Sequence, residues 1–446
     1  MNPLKIRLAA MNFIEFAVWG AYLTSLGAYL SNVGLASTIG WFYAVQGIVS
    51  IFMPAVVGII ADRWIPAQRM LSLCHLLAGA FMIGAGFYGF SAGTEVEFGP
   101  LFTLYTLSVA FFMPTIGLAN SVCYNAMERA GMDTIKEFPP IRVLGTVGFI
   151  AAMLITNFTG FQNNYWQMVF SGGMSLIMVL YALTMPNCPV SKGGQSKGIV
   201  DALGLKAFAL FKDKSMAIFF IFSMLLGVSL QITNGFANPF ISSFAKIEEF
   251  KNSWGALNAN ALISISQISE TLCILLIPFF LKRFGIKIVM FMAMTAWFLR
   301  FGLFGIGNPG DGVIFLILSM IVYGVAFDFF NVSGSLYVDQ KVDGSLRSSA
   351  QGLFMIMTNG IGATVGTLSA QAVVDKVVYT QPEGTLQFAQ GWSHAWMLFA
   401  AYAGIVAILF WICFRNPKKD DISRMSKAEI NNLASQADDP GGEVIL

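Results

Sequence analysis

Charged side chains are scarce in this sequence. Asp, Glu, Lys and Arg make up 11% of its 446 residues, against about a quarter in a soluble chain. Histidine occurs only twice, as His75 and His394 at opposite faces of any membrane arrangement and in no metal-binding or triad pattern. The five cysteines imply no disulfide framework: Cys74, Cys123, Cys273 and Cys413 sit in or at the ends of apolar runs, and Cys188 in a polar connection. No phosphate-cradling loop (Gly, four residues, Gly-Lys, then Ser or Thr) is present, so ATP does not drive the chemistry. A polytopic membrane enzyme would need a nucleophile–base pair or a metal cluster at one membrane face, and neither is found.

What is present is apolar sequence. Hydrophobic residues make up 56% of the chain and its mean hydropathy is +0.69. Runs long enough to cross a bilayer, about 18 residues or more, recur at 8–30, 39–60, 70–91, 100–125, 141–160, 165–186, 215–240, 257–281, 287–307, 313–338, 349–373 and 393–414. This predicts an all-α membrane protein with twelve transmembrane helices. The connections then alternate sides: of the 26 Lys and Arg, 21 fall on the side that holds both termini, three (Lys246, Lys251, Lys376) on the other, and Arg142 and Arg300 within spans. By the positive-inside rule both termini are cytoplasmic. The net charge of +2 therefore reflects topology and not nucleic-acid binding. The first run has no small-residue cleavage site and reads as a retained span.

A Gly-, Ser- and Lys-rich connection, 187–214, follows the sixth run and reads as a linker. It divides the chain into an N-terminal six-helix half at 1–186 and a C-terminal half at 215–415, with a disordered cytoplasmic tail at 416–446. After the second run comes GIIADRWIPAQR, carrying Gly58, Asp62, Arg63 and Arg69; after the eighth comes PFFLKRFGIK. Six plus six spans with a parallel pseudo-repeat is the layout of the major facilitator fold. The first loop resembles that superfamily's signature, which implies a charge and helix-end latch closing the cytoplasmic side.

Few ionisable residues fall inside spans: Glu15, Arg142, Glu270, Arg300 and Asp328. Lipid satisfies none of them, so their faces must converge on one another or on water. Helical spacing puts Arg142, Thr146 and Phe149 on one face, and Gln231, Asn234 and Asn238 on another. Gln267, Glu270 and Thr271 share a third, and Tyr323, Phe327 and Asn331 a fourth, with Asp328 at its edge. Aromatic faces, amides, carboxylates and one fixed cation suit a ligand with a flat ring and many hydroxyls. Asp328 is expected to face a central cavity near Glu270 and Arg142, a structural Arg142–Asp328 ion pair being the alternative. Arg300, towards the outer end of its span, is expected to snorkel to the interface. Glu15 reads equally as a hydrated carboxylate near a helix end and as part of transport.

The motifs FPPIRVLGTVGFI, SLQITN, SISQISETLCILLIPFFLKRFGIK, SMIVYGVAFDFFNVSGS and SAQGLFMIMTNG closely resemble the bacterial nucleoside:proton symporter family of the major facilitator superfamily, and the resemblance runs from residue 14 to at least 373. It implies proton-coupled nucleoside import across the inner membrane by a monomer embedded in lipid, with no cofactor beyond the proton. It further implies that Arg142, Thr146, Phe149, Gln231, Asn234, Gln267, Glu270, Tyr323, Phe327 and Asp328 contact the ribose and base. Proton coupling then falls to Asp328, Glu270 and Arg142. Position 15 departs from the family pattern, with Glu where its members carry Gln. A carrier for another polar solute, a sugar or a drug, is the alternative.

Overall fold

The computed structural model describes residues 3–188, 205–342 and 347–415. Most of the expected linker (189–204) and the tail from 416 lie outside the described residues, as do the side chains of Asp62 and Arg63. Everything described is helix or short connection. In chain order the helices are α1 Pro3–Gly20, α2 Leu26–Asn32, α3 Ile39–Arg63, α4 Ala67–Ala92, α5 Phe98–Arg129, α6 Thr134–Phe158 and α7 Trp166–Leu183. After the linker come α8 Lys214–Ser243, α9 Ala259–Ile306, α10 Val313–Lys341, α11 Arg347–Met355, α12 Ala363–Val377 and α13 Leu386–Cys413.

Nine helical stretches among the described residues are long and apolar enough to cross a membrane. Two further segments are interrupted. The first apolar run is broken by a turn between α1 and α2. The 48-residue α9 holds a non-helical residue, Gly285, at φ 78°; that left-handed φ is open to glycine at little cost, so 259–284 and 286–306 are two helical arms meeting at a sharp bend. Polar caps begin the helices where water is at hand. Asp213 accepts from the Met216 N–H at 2.9 Å to start α8, and Thr385 accepts from the Phe388 N–H at 3.3 Å to start α13.

Small residues set how closely the helices approach, because in lipid van der Waals packing replaces the hydrophobic drive. A methyl group on Gly20 would collide with the carbonyl oxygen of Phe149, and one on Gly148 with that of Phe13. These two glycines press α1 against α6. Between α11 and α12 the chain widens into a π-helical stretch, Ile356–Gly362, packed on α8 and α3.

The helices before the linker pack chiefly on one another, as do those after it. Hydrogen bonds join the two groups at the end of the bundle remote from the N-terminus. Asn157 donates to Asn258 Oδ1 at 2.8 Å and accepts from the Ala261 N–H at 3.1 Å. Gln162 donates to the Leu257 carbonyl at 3.0 Å. Thr24 donates to Asn260 Oδ1 at 2.6 Å, and Asn260 donates to the Met153 carbonyl at 3.3 Å. Gln371 accepts from the Gly40 N–H at 2.7 Å. Asn238 also donates to Asn260 Oδ1, at 3.2 Å, and so belongs to this seam.

Candidate functional site

Between the two groups of helices lies a cavity enclosing about 860 Å³ of space, its open mouth included. Its wall is assembled from eight helical segments and the turn at Leu23. α6 contributes Arg142, Thr146 and Phe149, α8 Gln231 and Asn234, the first arm of α9 Gln267 and Glu270, and α10 Tyr323 and Phe327. Each set is spaced three or four residues apart, the interval that brings side chains to one helix face. The backbone thus gathers nine of the residues singled out by polarity and spacing onto one surface.

Aromatic geometry dominates. Tyr323 and Phe327 stack with ring centroids 5.8 Å apart and an interplanar angle of 3°. Trp19 stands edge-on to Phe149 at 6.1 Å and 89°. The Arg142 guanidinium lies 3.9 Å over the Phe16 ring, a cation–π arrangement that holds it in place while leaving its charge on the cavity wall. Asn234 donates to Gln231 Oε1 at 2.9 Å, which orders the amides of α8. The site therefore presents flat apolar faces for a planar ring, amides that donate and accept, one cation and one carboxyl.

Asp328 differs from expectation. It is fully buried but is not on the cavity wall: one residue beyond Phe327, it is turned about 100° around the helix. Asn331 is buried off the wall too. Glu15 is not a hydrated carboxylate; it is fully buried and bonded to His75 and Thr115. Arg300 does not snorkel. It is fully buried, donating from Nη1 to the Ser319 carbonyl at 2.7 Å, with its guanidinium 4.5 Å over the Tyr323 ring. It lines a small chamber that shares Asn234, Gln267 and Tyr323 with the main cavity. The reason is the bend at Gly285, which folds the second arm of α9 back beside α10 and turns Arg300 inward. Of the latch residues, Gly58 lies near the end of α3 and Arg69 is exposed in the first turn of α4.

Sequence reasoning passed over Phe16 and Trp19 on α1, Gln46 and Ser50 on α3, and Asn359 in the π-helical stretch, all on the cavity wall. Gln46 links the wall to the core, accepting from Trp19 Nε1 at 3.4 Å and donating to the Tyr105 hydroxyl at 2.9 Å. Gln46 and Asn359 were available as amides inside apolar runs. Phe16 and Trp19 carried no such signal, since aromatics are ordinary in spans.

A family profile described as nucleoside H+ symporter matches residues 1–419. The xanthosine permease of Escherichia coli (strain K12) is 45% identical over 415 residues, 92% of this chain and 96% of that protein. The nucleoside permease NupG of the same organism is 44% identical over 416 residues, again 92% and 96%. The crystal structure of the nucleoside transporter NupG superimposes with a TM-score of 0.83 at 43% identity, covering 94% of this chain and all of that one; a mutant of it reaches 0.86. A peptide transporter of the POT family, at 14% identity and a TM-score of 0.63, shares the fold alone. The chain belongs to the nucleoside:proton symporter family, and it is a secondary transporter, not an enzyme.

Proposed function

We propose that this protein imports nucleosides together with protons across the bacterial cytoplasmic membrane by alternating access. The observation that carries the reading is the cavity wall. The parallel Tyr323 and Phe327 rings offer a stacking face for a nucleobase, and amides with Glu270 and Arg142 surround it in the manner that ribose hydroxyls and base edges require. In this reading Arg142, Thr146, Phe149, Gln231, Asn234, Gln267, Glu270, Tyr323 and Phe327 bind the nucleoside. Asp328, Glu270, Arg142 and Glu15 serve proton coupling, and Gly58, Asp62, Arg63 and Arg69 form the cytoplasmic latch.

The chain crosses the membrane twelve times as two six-helix halves, 1–186 and 215–415, with both termini cytoplasmic, and works as a monomer. The amide seam through Asn157, Gln162 and Asn260 then lies outermost, and the conformer is closed to the outside. Protonation of a carboxyl removes a desolvated charge; with nucleoside bound, the occluded site is neutral enough to pass between states.

Uptake of radiolabelled uridine and adenosine into cells lacking their own nucleoside carriers tests the reading. Accumulation that collapses with a protonophore is expected. Uptake that persists without a proton gradient but requires sodium refutes the proton, and uptake of a sugar or drug without either nucleoside refutes the substrate.

A further inference from the structure

Among the helices before the linker, a second polar cluster lies apart from the cavity wall. His75 Nε2 of α4 is 2.8 Å from Glu15 Oε2 of α1, and His75 Nδ1 is 2.8 Å from Ser175 Oγ of α7. Thr115 Oγ1 of α5 is 2.6 Å from Glu15 Oε1. All four side chains are buried, Glu15 and His75 completely.

Each hydroxyl also has a backbone carbonyl in reach. Ser175 Oγ lies 3.0 Å from the His75 carbonyl and Thr115 Oγ1 lies 2.5 Å from the Phe112 carbonyl. A hydroxyl has one hydrogen to donate, so each must choose. When Ser175 donates to the carbonyl it accepts from Nδ1–H, and the Nε2···Oε2 contact then needs a hydrogen of its own: the pair holds a proton, as imidazolium with carboxylate or as imidazole with carboxylic acid, and carries no net charge. When Ser175 donates to Nδ1, the neutral imidazole donates from Nε2 to the carboxylate, and the pair carries one negative charge. Rotation of a hydroxyl converts one bonding pattern into the other, with no buried side-chain atom of Glu15 or His75 left unsatisfied. Thr115 donates to Oε1 in both patterns.

We infer that Glu15 and His75 form a proton-binding site distinct from the nucleoside cavity, loaded and emptied during transport, with Ser175 as a rotating hydroxyl and Thr115 as a donor to the carboxyl. This deepens the symport reading and rests on it. The groups around the pair fit. The Arg142 guanidinium of α6 lies over the ring of Phe16, the residue after Glu15, and Arg142 and Glu15 both act electrostatically on Cys123 of α5. Cys74 on α4 and Cys123 on α5 lie within electrostatic reach of Glu15. From α7 the facing group is Ser175, while the Tyr181 hydroxyl is engaged further along on the Arg7 carbonyl. Because Phe16 and Trp19 on α1 line the cavity, a change of charge at Glu15 acts on the same helix that touches the nucleoside.

The test is gradient-driven uridine uptake across a range of pH, with uridine counterflow and thermal melting, in proteoliposomes holding wild type, Glu15→Gln, His75→Gln or Ser175→Ala. In the first two, driven uptake is expected to fall more than counterflow, and its pH midpoint to move by about one unit or more. Ser175→Ala keeps both titratable groups and removes only a hydroxyl. A bond donated by a cation is stronger than a neutral one, so its loss costs the loaded state more, and the midpoint is expected to fall by about half a unit to one unit. A wild-type profile in Ser175→Ala and in whichever of the other variants folds overturns this site alone. Wild-type uptake that ignores the proton gradient overturns the symport reading and this site with it.

Discussion

Two buried ionisable residues, Arg300 and Asp328, do not line the main cavity. Arg300 lies over Tyr323, and its Nε and Nη2 have no hydrogen-bond partner among the described residues. Replacing such a cation with an apolar side chain of similar volume is often neutral for stability or better. A cation–π contact is worth about 0.5–2 kcal/mol. Arg300→Met is therefore expected to keep its melting temperature within a few degrees while the apparent KM for uridine rises roughly 2- to 30-fold; an unchanged KM reduces Arg300 to space-filling. Asp328, buried off the cavity wall, is expected to matter for coupling more than for binding. Asp328→Asn keeps the shape and loses the titration, so nucleoside binding to purified protein should stay within about tenfold while concentrative uptake disappears. Loss of binding in folded protein would instead make Asp328 a ligand-contacting residue.

At the scale of elements, the α1–α6 contact couples both polar sites. Glu15 and Phe16 sit on one helix and Arg142, Thr146 and Phe149 on the other, and Gly20 and Gly148 hold the two together at backbone distance. Overpacking at such a contact costs about 1–3 kcal/mol. Gly20→Ala is expected to lower the melting temperature by several degrees and, because its new methyl meets the Phe149 backbone, to reduce uridine uptake beyond what the lost protein explains. Quantitative immunoblotting beside initial-rate uptake separates the two effects. The π-helical stretch that carries Asn359 belongs to the same scale. An extra residue per turn re-aims one amide into the cavity, a device common at functional sites.

For the whole molecule, the proposed alternating-access cycle is expected to balance on the amide seam. Asn260 is its hub, bonded to Thr24, Met153, Gln162 and Asn238. Net hydrogen bonds contribute about 1 kcal/mol each, and a two-state equilibrium moves tenfold for every 1.4 kcal/mol or so. Asn260→Ala removes the side-chain bonds to Thr24 and Met153 that cross between the two groups of helices, and is expected to shift the population roughly ten- to a hundredfold towards the opposite state. A cysteine placed at Gln46 in a background without other cysteines should then react faster with a membrane-impermeant thiol reagent applied from outside. An unchanged labelling rate would mean that the seam does not set the equilibrium.

Much of this was legible in the residues alone, because a bilayer imposes rules that act on local sequence. An apolar run has to span, basic residues gather on one side, and a polar side chain inside a span needs company. Spacing of three and four residues therefore singled out Arg142, Thr146 and Phe149, and Tyr323 with Phe327, as shared faces before any coordinates, and the long motifs carried the family. What tertiary structure decided was direction and partnership. Asp328 and Phe327 are neighbours in sequence, yet only Phe327 meets the cavity, because 100° of helix rotation matters only once the position of the cavity is known. Arg300 turned inward because Gly285 reverses the chain. Glu15 met His75, 60 residues away, through the packing of four helices. Pairings over that distance depend on which helix faces touch, and hydropathy and periodicity along one strand of sequence hold no information about the neighbour across the gap.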